Sequence, residues 1–240
     1  MDCRAWSSLK YFSHIADKET RCEREEQGLS DPDKKAIDEI ALPSLEAPPV
    51  SDLQGDTLLS DGNTGVFSHV KLAALEAIIG LLTRDYKFDE FCRELLLVFM
   101  KAVKSEAGSL LEVNHEAKRL FFRSAAGYSS DKVSRFEIPL GEGVAGHAVK
   151  SRQPVLVQNA NESKEHLRAI AKAVGFEVRE LVAVPVVVRG TVFGVLELLN
   201  KSEGTYSTED VELLSYLCSI AAQAIEVRLM ISWVAQRKAA

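Results

Sequence analysis

The sequence predicts an α/β (α+β) fold built on an antiparallel sheet of about six strands, an expectation that rests on three observations. Leu181 to Lys201, LVAVPVVVRGTVFGVLELLNK, reads as two apolar strands around Arg189-Gly190, where Gly190 supplies the positive φ of a tight turn. Strands joined by so short a turn pair antiparallel. Ala107 to Val113 and Arg119 to Ala125 repeat the pattern across Asn114-His115-Glu116-Ala117. Amphipathic helical segments flank these strands on both sides.

Taken in order, residues 1–65 form an acidic, proline-containing extension with 14 acids and 7 bases. Its composition is that of a linker, and its apolar residues Trp6, Phe12, Leu42 and Leu45 offer a way to lie on the folded part. Residues 66–87 form the next segment, and within them 68–83 reads as a helix with Leu72, Leu75, Ile79 and Leu82 in a narrow seam. A second helix at 88–104 presents Phe91, Leu95, Phe99 and Val103 on one face. After the first hairpin come a short extended piece at 136–140, a glycine turn and short helix at 141–150, and a strand at 155–157. A helix at 163–174 ends at Gly175, a good residue for a helix C-terminus. In the last strand, Val192, Gly194, Leu196 and Leu198 alternate with Phe193, Val195, Glu197 and Leu199. Ser207 and Asp210 form a capping pattern that starts the final helix, about 208–236.

That last helix carries two apolar stripes. Leu214, Cys218, Ala221 and Ile225 suit packing on the sheet. Leu213, Leu217, Ile220, Ala224, Val227, Ile231 and Val234 recur at heptad spacing, and with Leu72, Leu75 and Ile79 they predict a helical homodimer interface. The alternative is that both stripes pack within one subunit.

The net charge of -6 comes from the extension, since the remainder is near neutral, which speaks against a general nucleic-acid surface. Cys3, Cys22, Cys92 and Cys218 show neither a CxxC pair nor zinc spacing. The polar start and the lack of a long apolar run predict a cytoplasmic protein with no membrane span. No metal or cofactor is expected, and no hydrolase, metalloprotease or nucleotide-loop motif points to catalysis.

The turn-helix GEGVAGHAV at 141–149, the 180–201 hairpin and the closing helix YSTEDVELLSYLCSIAAQAI together resemble a GAF domain, a PAS-like small-molecule-sensing regulatory domain. The resemblance covers roughly Phe88 to Val227, and the domain is placed at 88–236. It implies that the N- and C-terminal helices cover one face of the sheet. A ligand pocket would lie on the other face, under the 139–175 connection. Candidate ligand contacts are Ser124 (or Arg123), Gly143, His147, Asn159, Asn161, His166 and Glu197. His147 is expected to be packed and hydrogen-bonded rather than a metal ligand. Glu197 needs a partner if it faces inward, either a base N–H or amine of a ligand or an arginine of the chain. Gly141 to Gly146 is formally G-x-G-x-x-G, but the parallel strand-helix-strand unit of a dinucleotide site is missing. Asn200-Lys201, Tyr206 and Asp210 resemble the NKFDE signature of cyclic-nucleotide-binding GAF domains, with Val211 in place of the final Glu; the resemblance implies a structural Lys–Asp pair.

The expected function is a regulatory sensor that binds a small ligand, in one version a nucleotide, and signals through a dimer of helices. A protein-interaction scaffold using the N-terminal extension is the second expectation. A small reductase relying on Cys92 or Cys218 is a remote third.

Overall fold

The structure, a computed structural model, describes residues 62–127, 130–133, 136–160 and 176–239. The chain divides into two units, residues 1–65 and 66–240. The expected docking of the extension and the helix at 163–174 lie outside the described residues.

The elements are α1 (Gly62–Leu82), α2 (Phe88–Val103), β1 (Ser105–Asn114), β2 (Arg119–Ala126), α3 (Ser130–Val133), β3 (Glu137–Pro139), α4 (Gly143–Ser151), β4 (Val155–Val157), β5 (Leu181–Val188), β6 (Thr191–Lys201) and α5 (Thr208–Ala239). One six-stranded sheet runs in the order β3-β2-β1-β6-β5-β4, antiparallel throughout. Local chemistry sets the turns. Asn114 Oδ1 accepts the N–H groups of Glu116 and Ala117 at 3.1 and 2.9 Å and closes the first hairpin. Arg189 and Gly190 both have positive φ, the backbone of a two-residue turn matched to sheet twist.

Helices α2 and α5 cover one face of the sheet. From α2, Phe91, Leu95, Phe99 and Val103 are all buried, as their spacing predicts. Gly108 of β1 marks the closeness of this packing, because a Cβ there would meet the Leu198 side chain at 2.7 Å and Leu96 at 3.2 Å. On the same side, Arg123 joins buried Glu112 at 2.6 Å and Asp89 at 2.9 Å, under the rings of Phe88 and Phe121. The opposite face carries a second core, in which α4 lays Ala145 and Ala148 over Leu111, Val195 and Leu199.

Two bulges change the faces read from alternation. One lies between β5 and β6, where Val186 pairs with Gly194 but Val187 pairs with Val192. Phe193 is the extra residue and turns to Phe88 on the helical side, while Val192 joins Val195 in the second core. The expected grouping of Phe193 with Val195, Glu197 and Leu199 is corrected accordingly. The other bulge lies between β1 and β2, where Leu110 pairs with Ser124 and Leu111 with Phe122.

In α5, Leu214, Cys218, Ala221 and Ile225 are buried, as expected. Leu213 and Leu217, expected in a dimer seam, are buried within the single chain. Lys71 of α1 lies over the Tyr216 ring of α5, and Arg228 of α5 donates to the carbonyls of Arg84 and Tyr86 in the segment that follows α1. The first half of α5 packs on β5 and α2, so the two leucines serve the protomer's own core. Ile220 and Leu75 are half-buried, whereas Leu72, Ile79, Val227, Ile231 and Val234 remain exposed. Among the described residues, the Thr208–Ala235 stretch is long and apolar enough to cross a membrane by length and composition. The burial of its first half in this core accounts for much of that apolar character.

Candidate functional site

Under α4, one row of paired residues crosses the sheet: Ala125 on β2, Ser109 on β1, Glu197 on β6, Ala183 on β5 and Val155 on β4. Rows on either side hold bulky residues, with Phe122, Leu111 and Val195 on one and Leu199 and Leu181 on the other. The middle row is therefore a shallow strip whose only polar side chains are neighbours. Directly paired residues of an antiparallel sheet hold their Cβ atoms roughly 4.5–5.5 Å apart, so one small group can touch both.

Both polar side chains are buried, Ser109 at 1% exposure and Glu197 at 9%. Ser109 Oγ has no hydrogen-bond partner. The Glu197 carboxylate accepts the backbone N–H of Ala145. Ala145 is the third residue of α4, and the first turn of a helix has N–H groups with no partner inside the helix. Burial pushes the Glu197 carboxyl up to about 7, against the lowering effect of that single hydrogen bond.

The glycines above the row make the turn into α4. Gly141 and Gly143 have φ of 88° and 62°, and a Cβ on Gly146 would lie 2.8 Å from the Gly141 nitrogen. A phosphate reading of this G-x-G-x-x-G is further weakened, because a carboxylate already faces the helix N-terminus.

Of the expected ligand contacts, Glu197 lies in the row and Gly143 opens the helix above it. Ser124 is a correction. Its pairing with Leu110 places it, with the bulged Arg123, on the face covered by helices. His147 is also corrected, since it is exposed on α4 rather than packed, the buried side of that helix being Ala145 and Ala148. Asn159 is exposed beside buried Ala160, whose N–H donates to the Arg179 carbonyl at 2.8 Å. Asn161 and His166 lie outside the described residues. Ser109 was missed because it is a single hydroxyl within an apolar strand, and only its pairing with Glu197 gives it meaning.

The signature residues form a latch at the far end of β6. Lys201 Nζ lies 2.5 Å from Asp210 Oδ2, and Asp210 and Ser207 cap α5 reciprocally. Tyr206 is fully buried, with its hydroxyl 2.6 Å from Ser105 Oγ, and burial pushes the phenol's pKa upward. Asn200 adopts positive φ; its Oδ1 accepts the Arg179 N–H, and its Nδ2 donates to the Glu177 carbonyl and to Glu106. Glu180, absent from the sequence reading, accepts the N–H groups of both Lys201 and Tyr206, at 3.0 and 2.9 Å. Each signature side chain is thus bound to the protein itself.

Cys92 and Cys218 are buried, and burial raises both thiols, which keeps them protonated and unreactive. Among the described residues, no group of three His, Cys, Asp or Glu side chains converges as a metal site would.

Comparison with known proteins follows the same lines. A family model described as "GAF domain" matches residues 87–226. The chain is 22% identical over 96 residues to a probable 3',5'-cyclic phosphodiesterase of Caenorhabditis elegans, covering 39% of this chain and 13% of that protein. It is 24% identical over 166 residues to the Nif-specific regulatory protein of Azospirillum lipoferum, covering 67% of this chain and 26% of that protein. It therefore spans about a quarter or less of the curated relatives it matches. The fold also resembles the free methionine-R-sulfoxide reductase of Neisseria meningitidis, with a TM-score of 0.56 and 17% identity, covering 74% of this chain and 98% of that one.

Proposed function

The chain belongs to the GAF domain family, a domain found in regulatory proteins, and on that basis we propose that it is a regulatory sensor of a small molecule. The ligand would sit on the sheet face beneath α4. One observation carries this reading: a buried, unpartnered Ser109 hydroxyl lies next to a buried Glu197 carboxyl that has one hydrogen bond among the described residues, in a row otherwise made of small or apolar residues. Buried polar groups are normally satisfied, and a buried hydroxyl without a partner beside a buried carboxyl is what a ligand would complete.

The output route follows the latch. Phe176 and Val178 pack into the core beneath α4, and the backbone around them is tied to Asn200. Glu180 passes that tie to Lys201 and Tyr206, and Lys201 reaches Asp210 in the first turn of α5. A ligand that shifts the 176–180 backbone would thereby bias how α5 sits, provided it binds one arrangement better than the other. The exposed stripe of Leu72, Ile79, Val227 and Ile231 is the surface through which a helical dimer would report the change.

Native mass spectrometry of the gently purified protein, with the same sample denatured as control, tests this. A non-covalent adduct lost on denaturation supports the sensor. A bare protein across added cyclic mono- and dinucleotides and a metabolite extract replaces it with an interaction scaffold acting through the N-terminal extension.

A further inference from the structure

The sensor reading leaves the ligand's chemistry open, and the row itself narrows it. We propose that Ser109 and Glu197 bind a ligand through N–H donors on a compact planar group, such as an amide, amidine or N–H heterocycle, and not through a phosphate or carboxylate. The proposal rests on the reading of the sheet face as a ligand site.

A carboxylate offers about four acceptor positions, of which Ala145 takes one. The Ser109 hydroxyl beside it can accept a second N–H or donate to a ligand oxygen. Ala125 and Ala183 flank the two polar groups along the row, and Ala145 and Ala148 are their small neighbours from α4, so only a compact group suits this lining. An anion here would set a second negative charge against a buried carboxylate. Among the described residues, three nearby basic side chains are engaged elsewhere: Arg123 with Glu112 on the opposite face, Arg179 with Glu106, and Lys201 with Asp210.

N–H donors favour the ionised carboxylate, so binding should release a proton and tighten as the pH rises through neutrality. The groups facing Glu197 are Ser109 from β1, Ala183 from β5 and Ala145 from α4, and the shift of its carboxyl has no charged cause. A carboxyl that ionises near 7 is about one-eleventh ionised at pH 6 and about ten-elevenths at pH 8, which sets an upper limit of about tenfold on the affinity change.

The test uses three probes of one shape and different charge: benzamidine, benzamide and benzoate. Ligand-observed NMR would measure their binding to the full chain at pH 6 and pH 8, and to Glu197→Gln and Ser109→Ala. Benzamidine or benzamide should bind, several-fold more tightly at pH 8, with the pH dependence lost in Glu197→Gln and the affinity reduced in Ser109→Ala. Preferential binding of benzoate, tightening at pH 6, would overturn the ligand class while leaving the site. Binding unchanged in both variants would overturn the assignment to this row. Silence from all three overturns the proposal, and the native-mass adduct then decides whether the sensor reading falls with it.

Discussion

Glu197 makes a prediction that needs no ligand. Its carboxyl ionises near 7 in the folded protein, against an ordinary 4.5. Between those values the folded chain binds more protons than the unfolded one, so stability must fall as the pH rises. The full contribution is present below about pH 4.5 and is lost as the pH passes through the folded value near 7. At 1.36 kcal/mol for each pH unit between the two values, the ionised form costs the apo protein about 3 kcal/mol above pH 8. Glu197→Gln removes the titration and keeps the shape. Its amide oxygen still accepts the Ala145 N–H, and its NH2 can donate to the orphaned Ser109 hydroxyl.

The assay is thermal unfolding of both proteins from pH 5 to pH 8.5. Other carboxylates titrate in both and cancel in the difference. For a domain of this size, 1 kcal/mol moves the midpoint by about 2–4 °C. The variant should match the parent near pH 5 and exceed it by about 6–12 °C at pH 8.5. Parallel curves across the range would show that Glu197 is not desolvated as its burial implies, and would remove the physical basis of the polar row.

Ser109→Ala deletes an unsatisfied buried hydroxyl, so apo stability should stay level or rise by about 1 kcal/mol in chemical denaturation, whereas a mainly structural serine would show a loss. Glu112→Ala removes the buried carboxylate from Arg123, leaves it the exposed Asp89, and should cost up to about 3–5 kcal/mol by the same measurement. The double change Glu112→Leu with Arg123→Met should recover most of that, and its failure would mean the pair does more than satisfy itself. Gly146→Ala drives a methyl to within 2.8 Å of the Gly141 backbone, and a loss of about 1–3 kcal/mol is expected, with faster hydrogen exchange in α4 than in α2.

Much of the fold was legible because its signals are local. The Arg189-Gly190 turn, the β4 strand and the Ser207-Asp210 cap each depend on residues a few positions apart, and each lies where the spacing put it. What the sequence hid depends on contacts across the chain. The bulges at Arg123 and Phe193 have no residue signature, yet each reverses the facing of its neighbours, which is why Ser124 seemed to share a surface with Glu197. Heptad spacing on α5 cannot tell a partner subunit from the rest of the same chain, so Leu213 and Leu217 read as an interface although they are buried. Glu180 and Glu106 gain their roles only when Lys201, Tyr206 and Asn200 are brought to them from about twenty and ninety residues away.

Two buried carboxylates in this sheet are handled in opposite ways, and the contrast points to the site. Glu112 faces the helices and has an arginine at 2.6 Å, a closed arrangement in which each charge answers the other. Glu197 faces α4 and has one backbone N–H and an idle hydroxyl. A leucine in place of Glu197 would serve the apo fold better, because every neighbouring row is apolar and the carboxyl's ionisation works against folding at neutral pH. On the proposed reading, a third group that donates to the carboxylate and engages Ser109 would make the arrangement favourable. The few kilocalories per mole that ionising Glu197 costs the fold would then be returned on binding. Such a linkage would let a small molecule stabilise one state of the domain over another.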